Sequence, residues 1–251
     1  MHVTDDCKSI ELLIKKQLSM VFDYMKTIFI KMTDLKREII ITKDGSNSLF
    51  VPSLNEQYHS IHGAKQEAEH VFLKMGLGFH QKKTLRVFEV GFGTGLNALL
   101  TCAFALENNK VIEYVSVEKY PVTKAEFSCL NYGAILNMES LFIKMFDQEW
   151  EEKCVINDSF SLQKINKDLK KDTLPKGFDV IYFDAFAPNK QPDMWSVEVF
   201  IKMNKMLSKG GCLVTYCCQG QARRSMIEAG FIVEKVAGPP GKREMLRAIK
   251  K

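Results

Sequence analysis

The hydrophobic positions after residue 84 occur as short runs separated by longer amphipathic stretches. The runs are Leu85–Val90, Tyr114–Val117, Cys154–Ile156, Phe178–Phe183, Gly211–Tyr216, Phe231–Val236 and Met245–Ile249. Helical spacing lies between most of them, at Leu96–Glu107, Val122–Leu136, Ser196–Leu207 and Gln221–Ala229. Strands that alternate with helices form βαβ units, which give a mainly parallel sheet with helices on both faces. The pattern therefore predicts one α/β domain that binds ligands at the carboxyl ends of its strands.

Three features precede this alternating pattern. An isoleucine run, a Lys-Asp-Gly-Ser-Asn turn and a second apolar run predict a β-hairpin over Glu38–Pro52. A helix is predicted over His62–Met75, ending at the glycines that follow. Helical spacing also covers Ile10–Met32, with charged residues that do not fit a secretory signal. We therefore expect an N-terminal extension over residues 1–35, either a docking helix or a segment outside the working domain, and a main domain over residues 36–251.

Composition narrows the class of protein. The chain has 251 residues, of which 46% are hydrophobic and 26% charged, and this excludes a disordered or fibrous protein. Seven cysteines without a Cys-x-x-Cys pair indicate a reducing, cytoplasmic compartment. No apolar run reaches the roughly 18 residues of a membrane span. The net charge of +5 permits a nucleic-acid partner, and the segment Arg223–Lys251 contains the basic excess, although a solvated face would also explain it.

A glycine-rich turn follows the first predicted strand of the main domain. The segment Glu89–Asn97 contains Gly91, Gly93 and Gly95 directly before a helix. Glycine allows a sharp turn and a close approach to a ligand, and the first amides of a helix are unpaired donors. A dinucleotide fingerprint has its third glycine one residue later, and Glu89 would repel a pyrophosphate. The turn therefore favours a cationic ligand such as S-adenosylmethionine, while tight packing alone remains the alternative.

Acidic residues end the next two predicted strands. Glu118 lies 23 positions after Gly95, where a carboxylate can accept both ribose hydroxyls of a bound nucleoside. Asp158 follows the run at Cys154–Asn157 and is a candidate for the adenine amine. Each has a simpler interpretation, since Glu118 can be a solvated strand end and Asp158 can belong to a helix cap.

The fourth predicted strand leads into Asp184-Ala185-Phe186-Ala187-Pro188. A carboxylate, an aromatic ring and a proline in five residues suit a planar base held next to a transferable group. Phe186 would form a wall, and Asp184 would orient a nitrogen nucleophile or take its proton. The alternative places Asp184 in a loop cap and Phe186 in the core.

Together these segments resemble a known family. The matching motifs are Tyr58–Ala64, Glu89–Asn97, Ser116–Lys119, Asp184–Pro188, Pro192–Trp195 and Gly238–Leu246. They are similar to the methyltransferase domain of the bifunctional tRNA 5-methylaminomethyl-2-thiouridine biosynthesis protein (MnmC-like). The resemblance extends from about Ile39 to Ile249. Because the motifs are long and ordered, they are more specific than a lone glycine turn.

The resemblance implies a class I methyltransferase fold, a Rossmann-like, seven-stranded and mostly parallel sheet that binds S-adenosylmethionine. It implies N-methylation of 5-aminomethyl-(2-thio)uridine at the tRNA wobble position. Cofactor contacts are implied at Glu89, Gly91, Gly93, Gly95, Asn97, Glu118 and Asp184, and Asp184 is the implied active-site residue; Asp158 stays a candidate from its position alone. The bifunctional members continue into a flavin-dependent oxidase domain, so we expect a stand-alone methyltransferase here.

The expected partner is the tRNA anticodon stem-loop, with no metal and no membrane. Tyr58 and Trp195 are candidates to stack on a splayed-out base, although core packing is the stronger interpretation for Trp195. His59 and His62 are expected to form hydrogen bonds near the active-site opening. The other candidate substrate-binding residues are Phe186 and Pro188 beside the base, and Arg223, Arg224, Lys242 and Arg243 at the phosphates.

Two other functions fit parts of the sequence. A polyamine-type aminopropyltransferase shares the expected fold, but its polycationic acceptor needs several carboxylates, whereas this C-terminal segment is basic. A non-catalytic RNA-binding module of the same fold would retain tRNA without affinity for the cofactor. An assay with putrescine and decarboxylated cofactor distinguishes the first, and calorimetry with S-adenosylmethionine distinguishes the second.

Overall fold

Two β-sheets form the framework of this computed structural model, which describes residues 36–251. The predicted extension, with its helical spacing over Ile10–Met32, lies outside the described residues. A small antiparallel sheet contains β1 (Glu38–Ile41), β2 (Asn47–Val51) and β3 (Glu56–Gln57). The main sheet contains β4 (Thr84–Val90), β5 (Val111–Val117), β6 (Lys153–Asn157), β7 (Phe160–Ile165), β8 (Phe178–Phe183), β9 (Leu207–Thr215), β10 (Phe231–Ala237) and β11 (Glu244–Lys250).

Helices connect these strands. The α-helices are α1 (Ala64–Ala68), α2 (Leu96–Glu107), α3 (Lys124–Phe127), α4 (Tyr132–Ile135), α5 (Glu139–Asp147), α6 (Val197–Met206) and α7 (Gly220–Glu228). A π-helical segment, Glu69–Lys74, continues α1, and short 3-10 turns occupy Leu77–Phe79 and Pro192–Trp195. No helix in the described part of the chain combines the length and the hydropathy needed to cross a membrane.

The main sheet has the order β10-β11-β9-β8-β4-β5-β7-β6. The pairs β8–β9, β4–β8, β4–β5 and β5–β7 are parallel, whereas β11 and β6 run antiparallel to their neighbours. The predicted mostly parallel α/β sheet is therefore confirmed, but it has eight strands rather than seven. The additional strand is β7, which the hydrophobic pattern does not predict. It pairs with β6, which forms the antiparallel edge of the sheet.

Two predicted helices differ from the structure. The stretch Val122–Leu136 is interrupted between α3 and α4, where the side chain of Asn131 bonds to the turn between β1 and β2. Asn131 accepts a hydrogen bond from the Asn47 backbone (2.7 Å) and donates one to the Gly45 carbonyl (2.9 Å). The helix predicted over His62–Met75 begins at Ala64 and changes to π geometry at Glu69. The hairpin predicted over residues 38–52 is present as β1 and β2.

Side chains alternate between two apolar layers, one on each face of the main sheet. Leu85 and Val87 of β4 pack with α2 on one face, while Phe88 and Val90 pack with α6 and α7 on the other. Because strand side chains alternate with period two, Glu89 lies on the same face as Val87, beneath the first turn of α2. The sheet therefore brings a carboxylate into the layer covered by α2.

Candidate active site

The glycine-rich turn connects β4 to α2 and has left-handed backbone conformation at all three glycines. The φ angles are 89° at Gly91, 51° at Gly93 and 79° at Gly95. A Cβ atom at Gly91 would lie 3.3 Å from the Asp184 carbonyl oxygen, and one at Gly93 would lie 3.2 Å from the Tyr58 ring. The turn therefore requires glycine both for its conformation and for the space that neighbouring residues leave.

Glu118 lies beside this turn at the carboxyl end of β5. Its Oε2 accepts a hydrogen bond from the Gly93 amide (3.1 Å), and its Oε1 accepts one from the Tyr120 amide (2.7 Å). The side chain is half-buried. Because two carboxylate oxygens have about four acceptor positions, acceptor capacity remains for two ligand hydroxyls.

Glu89 is fully buried and only partly satisfied by hydrogen bonds. The Ser116 hydroxyl donates to its Oε2 (2.8 Å), whereas its Oε1 makes no hydrogen bond of normal geometry among the described residues. Burial raises the pKa of Glu89 to about 8, and the Ser116 hydrogen bond opposes that shift. The side chains of Asn97 and Tyr114 also lie close enough to lower the pKa of Glu89. Since an unpaired buried carboxylate is costly, a cationic ligand at this position would be stabilised.

Asp184 directly follows β8, which pairs in parallel with β4, so Asp184 lies at the predicted ligand edge of the sheet. Its Oδ2 accepts a hydrogen bond from the Asn97 amide (2.8 Å) in the first turn of α2. Burial raises the pKa of Asp184 to about 7, while the hydrogen bond from Asn97 lowers it. A half-buried carboxyl group with this pKa can exchange a proton with a ligand near neutral pH.

Tyr58 and Phe186 form an aromatic wall next to these carboxylates. Their ring centroids are 5.3 Å apart at an interplanar angle of 85°. Phe186 is held by its backbone, because its amide donates to Gln191 Oε1 (3.2 Å) and its carbonyl accepts from Trp195 Nε1 (2.8 Å). Trp195 is itself 2% exposed in the core, so it does not stack on a ligand. Pro188 lies in the same loop and is half-buried.

The two candidate histidines have different environments. His59 Nδ1 lies 2.8 Å from Ser48 Oγ, and its Nε2 lies 3.4 Å from Thr94 Oγ1 in the glycine-rich turn. Burial lowers the pKa of His59 to about 4, so the ring is neutral and supports the turn through hydrogen bonds. His62 is exposed. In residues 36–251, no group of three or more His, Cys, Asp or Glu side chains is arranged to hold a metal ion.

The assignment of Asp158 to the adenine site is wrong. Asp158 is exposed in the tight turn between β6 and β7, where the Ser159 amide donates to Asn157 Oδ1 (2.8 Å). This turn precedes β7, whose first residue pairs with Ile112, whereas the glycine-rich turn lies at the level of Val117. Asp158 is therefore at the opposite edge of the sheet, roughly 16 Å away at 3.3 Å per residue.

The four basic candidates lie at the ligand edge. Arg223 and Arg224 are on α7, which follows the carboxyl end of β9, and Lys242 and Arg243 are in the turn between β10 and β11. The ammonium group of Lys242 pairs with Glu67 (2.5 Å) and lies 4.7 Å from the Tyr216 ring centroid. The hydroxyl of Tyr216 donates to the Ala185 carbonyl (2.9 Å), beside Asp184.

Sequence reasoning missed a buried lysine on β7. Lys164 is 1% exposed, and its Nζ donates to the Phe146 carbonyl (2.6 Å). The same nitrogen lies 5.0 Å from the Trp150 ring centroid and 5.6 Å from that of Phe92 in the glycine-rich turn. The alternation of Phe160, Leu162 and Lys164 would have indicated an inward-facing lysine if the strand had been recognised.

Comparison with known proteins identifies the family. A family model for S-adenosyl-L-methionine-dependent methyltransferases matches residues 143–251. The tRNA 5-methylaminomethyl-2-thiouridine biosynthesis bifunctional protein MnmC of Burkholderia multivorans is 31% identical over 215 residues, 79% of this chain and 33% of that protein. The protein of the same name from Cupriavidus metallidurans is 31% identical over 225 residues, 83% of this chain and 33% of that protein. The chain belongs to the S-adenosylmethionine-dependent methyltransferases.

A solved structure supports the fold of this methyltransferase. The crystal structure of MNMC2 from Aquifex aeolicus superposes with a TM-score of 0.70 at 23% identity, covering 97% of this chain and 82% of that chain. The class I fold, the cofactor and the resemblance to MnmC-like proteins predicted from the motifs are confirmed. This methyltransferase spans about a third of the length of the curated MnmC relatives that it matches.

Replacement of Gly93 by alanine tests the packing of the turn. We expect Gly93→Ala to lose roughly 1–2 kcal/mol of stability from its left-handed backbone, and to bind S-adenosylmethionine more weakly because the new methyl group displaces the Tyr58 ring. Gly45→Ala is the matched control, since Gly45 has a φ of 80° with no atom within 4 Å of the added Cβ. Thermal melts and calorimetry should show similar destabilisation in both variants and weaker binding in Gly93→Ala; equal cofactor affinity would contradict this packing role.

Proposed function

We propose that this methyltransferase methylates the exocyclic amine of 5-aminomethyl-(2-thio)uridine at the wobble position of tRNA. The observation with the most weight is that one edge of the sheet has both the carboxylates Glu89, Glu118 and Asp184 and the four basic candidates. Relatives 31% identical to this chain are named for biosynthesis of the methylated nucleoside. A tRNA substrate accounts for both signs of charge. Its phosphates would contact the basic residues, and the cationic cofactor and the amine would lie by the carboxylates.

The side chains around the glycine-rich turn fit S-adenosylmethionine. When bound, this cofactor supplies an electrophilic methyl group on a sulfonium ion. Glu118 would accept hydrogen bonds from the ribose hydroxyls, and the glycine backbone would allow close approach. The unpartnered Glu89 Oε1 and Asn97 Oδ1 would accept from, or pair with, the cationic part of the cofactor. The orphaned acceptors are the structural reason to place a cation here.

Asp184 would act on the amine of the nucleoside. An alkylamine with a pKa near that of lysine, about 10.4, is mostly protonated in water at neutral pH and has no free lone pair. Burial of the amine favours its neutral form, whereas an ionised carboxylate nearby favours the charged form. Asp184 would therefore orient the nitrogen through a hydrogen bond and stabilise the cationic product, with the proton leaving through water. Its raised pKa reduces the opposing effect of a full negative charge.

The aromatic wall would position the uracil base. Phe186 presents a ring that two backbone hydrogen bonds hold in place, and Tyr58 meets it edge-on. Stacking on aromatic side chains is the usual way to bind a splayed-out base of single-stranded RNA. Pro188 would limit the movement of the loop between Asp184 and the 3-10 turn. In this arrangement the base would lie next to the carboxyl group that would orient its aminomethyl substituent.

Nucleoside mass spectrometry tests the proposed reaction. Purified protein and S-adenosylmethionine are incubated with tRNA from a strain that lacks this gene. We expect the 5-aminomethyl nucleoside to accumulate in the deletion strain and to gain one methyl group in the reaction. Cofactor binding without any methylated nucleoside would reject this substrate and leave the methyltransferase assignment intact.

Salt dependence tests the tRNA contacts of the basic edge. Arg224→Ala and Arg243→Ala remove exposed charges at the ligand edge, whereas Lys209→Ala removes an exposed charge at the start of β9, on the opposite edge. Each lost phosphate contact should reduce the slope of log K against log salt concentration by about 0.7–0.9. We expect this reduction for the two arginine variants and an unchanged slope for Lys209→Ala. Equal slopes in all three variants would place the tRNA elsewhere.

A further inference from the structure

Arg37, at the start of the small sheet, uses all three guanidinium nitrogens in the main domain. Its Nε donates to the Tyr58 hydroxyl (2.9 Å), its Nη2 donates to the Tyr120 carbonyl (2.7 Å), and its Nη1 pairs with Glu126 (3.1 Å). The side chain is 5% exposed. A buried guanidinium with three directed partners holds each of them in one orientation.

The contacts of Arg37 close a ring around the glycine-rich turn and Glu118. The Tyr58 ring lies against Gly93, and the Gly93 amide donates to Glu118 Oε2. The other oxygen of Glu118 accepts from the Tyr120 amide, and the carbonyl of Tyr120 accepts from Arg37. Arg37 therefore contacts both Tyr58, which packs on the turn, and Tyr120, whose amide bonds to Glu118.

The third partner of Arg37 is itself fixed. Glu126 forms a capping box at the start of α3, in which its Oε2 accepts from the Thr123 amide (2.7 Å) and the Thr123 hydroxyl accepts from the Glu126 amide (3.3 Å). A capping box satisfies two otherwise unpaired helix amides and resists displacement. Arg37 is thus attached to a rigid point of the main domain rather than to a free side chain.

We propose that Arg37 is a positioning residue for the S-adenosylmethionine site, which holds the Tyr58 ring on the glycine-rich turn and fixes the Tyr120 peptide that orients Glu118. The inference rests on the proposed contact between Glu118 and the cofactor, and it requires no particular nucleoside. In this role Arg37 acts through its contacts with Tyr58 and Tyr120. Lysine cannot replace it, because an ammonium group lacks the planar fork that reaches three partners at once.

Arg86 provides a matched control at the other edge of the sheet. It pairs with Glu113 (2.8 Å), donates to the Lys176 carbonyl (2.7 Å) and lies 4.8 Å from the Phe178 ring centroid. Arg86 therefore has the same kinds of partner as Arg37, namely a carboxylate, a backbone carbonyl and an aromatic ring. It lies near the start of β4, away from the glycine-rich turn. The Arg86 side chain is 36% exposed and that of Arg37 is 5% exposed, so the two stability losses can differ in size. A purely structural role predicts that neither substitution changes cofactor affinity.

Calorimetry with the cofactor alone tests the inference. Arg37→Lys, Arg37→Met, Tyr58→Phe and Arg86→Lys are titrated with S-adenosylmethionine and S-adenosylhomocysteine, and their melting temperatures are measured. We expect Arg37→Lys and Arg37→Met to weaken both ligands by about 10-fold or more, and Arg86→Lys to lower the melting temperature without changing either dissociation constant. Tyr58→Phe, which deletes one hydroxyl, should show part of the loss and remain folded.

A double variant separates positioning from general destabilisation. If Arg37 acts partly through Tyr58, the combined variant should lose less binding free energy than the sum of the losses in Arg37→Lys and Tyr58→Phe. Wild-type affinity in Arg37→Lys and Tyr58→Phe, with melting temperatures lowered as in Arg86→Lys, would overturn the inference. Because no tRNA is present, a failure of the proposed nucleoside assay leaves this measurement unaffected.

Discussion

Asp184→Asn is expected to lower kcat by roughly 100- to 1,000-fold while the affinity for S-adenosylmethionine stays close to that of the wild type. The asparagine oxygen can still accept the hydrogen bond from Asn97, so the first turn of α2 keeps its partner. The negative charge that would orient the amine and stabilise the cationic product is lost. A defect confined to turnover would identify Asp184 as the residue that acts on the nucleophile.

The pH profile gives a second measure of the role of Asp184. Because its pKa is raised to about 7, the carboxylate form is incompletely populated below that pH. At saturating S-adenosylmethionine, where the pH dependence of cofactor binding through Glu89 does not contribute, we expect kcat/KM for tRNA in the wild type to rise up to about pH 7, and this limb to be lost in Asp184→Asn. Asp193→Asn is the control, since Asp193 is 77% exposed and pairs only with Lys170 among the contacts of the described chain. Wild-type turnover in Asp184→Asn, with cofactor affinity intact, would exclude the proposed role.

The central strands could be predicted because their burial leaves a strong signal. The run Phe178–Phe183 is β8 without change, and Leu85–Val90 misses only the first residue of β4. Both strands are covered on both faces, so most of their positions are apolar, with Arg86, Glu89 and Asp179 as the charged exceptions. A mostly apolar run flanked by polar residues then marks the strand ends, and these ends determine where Asp184 and the glycine-rich turn lie.

The edge of the sheet could not be predicted in the same way. In β7, polar Ser161 and Gln163 alternate with apolar residues, and the buried Lys164 makes the inner face look polar. The preceding strand, β6, runs antiparallel to β7, so its carboxyl end lies at the edge opposite the ligand. The expectation for Asp158 requires a parallel strand, and without β7 the hydrophobic pattern does not show that β6 is antiparallel.

Contacts between residues that are far apart in the sequence also could not be predicted from it. Arg37 is 21 residues from Tyr58, 83 from Tyr120 and 89 from Glu126. No periodicity relates positions at such separations, because periodicity reports only which face of one element a residue occupies. Glu118, by contrast, can be predicted, since it directly follows the apolar run that forms the end of β5.

Two carboxyl groups with raised pKa values lie close together in this site, and their environments separate their roles. Glu89 is fully buried, with an oxygen that finds no partner in the described chain, whereas Asp184 is half-buried and bonded to Asn97. The charge on Asp184 also contributes to the raised pKa of Glu89. A fixed cation near Glu89 would favour the ionised form of Glu89. Asp184, rather than Glu89, would then be the carboxyl group available to the nucleophile.

Glu89→Gln is expected to stabilise the cofactor-free protein and to weaken cofactor binding. The folded-state pKa of Glu89 is about 8 against an ordinary value of 4.5, so between these values the folded state holds a proton that the unfolded state has lost. Stability therefore falls as pH rises from about 4.5 to 8 and is fully reduced above that range. Glutamine does not ionise, so at pH 8 we expect a melting temperature several degrees higher, at roughly 2–4 °C per kcal/mol for a domain of this size.

The same substitution removes the negative charge that would face the cationic cofactor. Losing one partner of a buried charge pair costs about 2–5 kcal/mol, so we expect the dissociation constant for S-adenosylmethionine to rise by at least about 30-fold. In the wild type, binding must release the proton of Glu89, so affinity should increase from about pH 6 to pH 8 and then level off. Glu89→Gln should lack this dependence. Calorimetry in buffers of different ionisation enthalpy measures the released proton directly.

Glu113→Gln completes the comparison, because Glu113 lies on β5 and pairs with Arg86 and Lys153 at the opposite edge. Removing that paired charge should lower stability slightly and leave the affinity for S-adenosylmethionine unchanged. Glu89→Gln should move the two quantities in opposite directions, with higher stability and lower affinity. A group kept only for packing would not show this opposition. If Glu89→Gln bound the cofactor as tightly as the wild type at pH 8, Glu89 would have no part in cofactor binding.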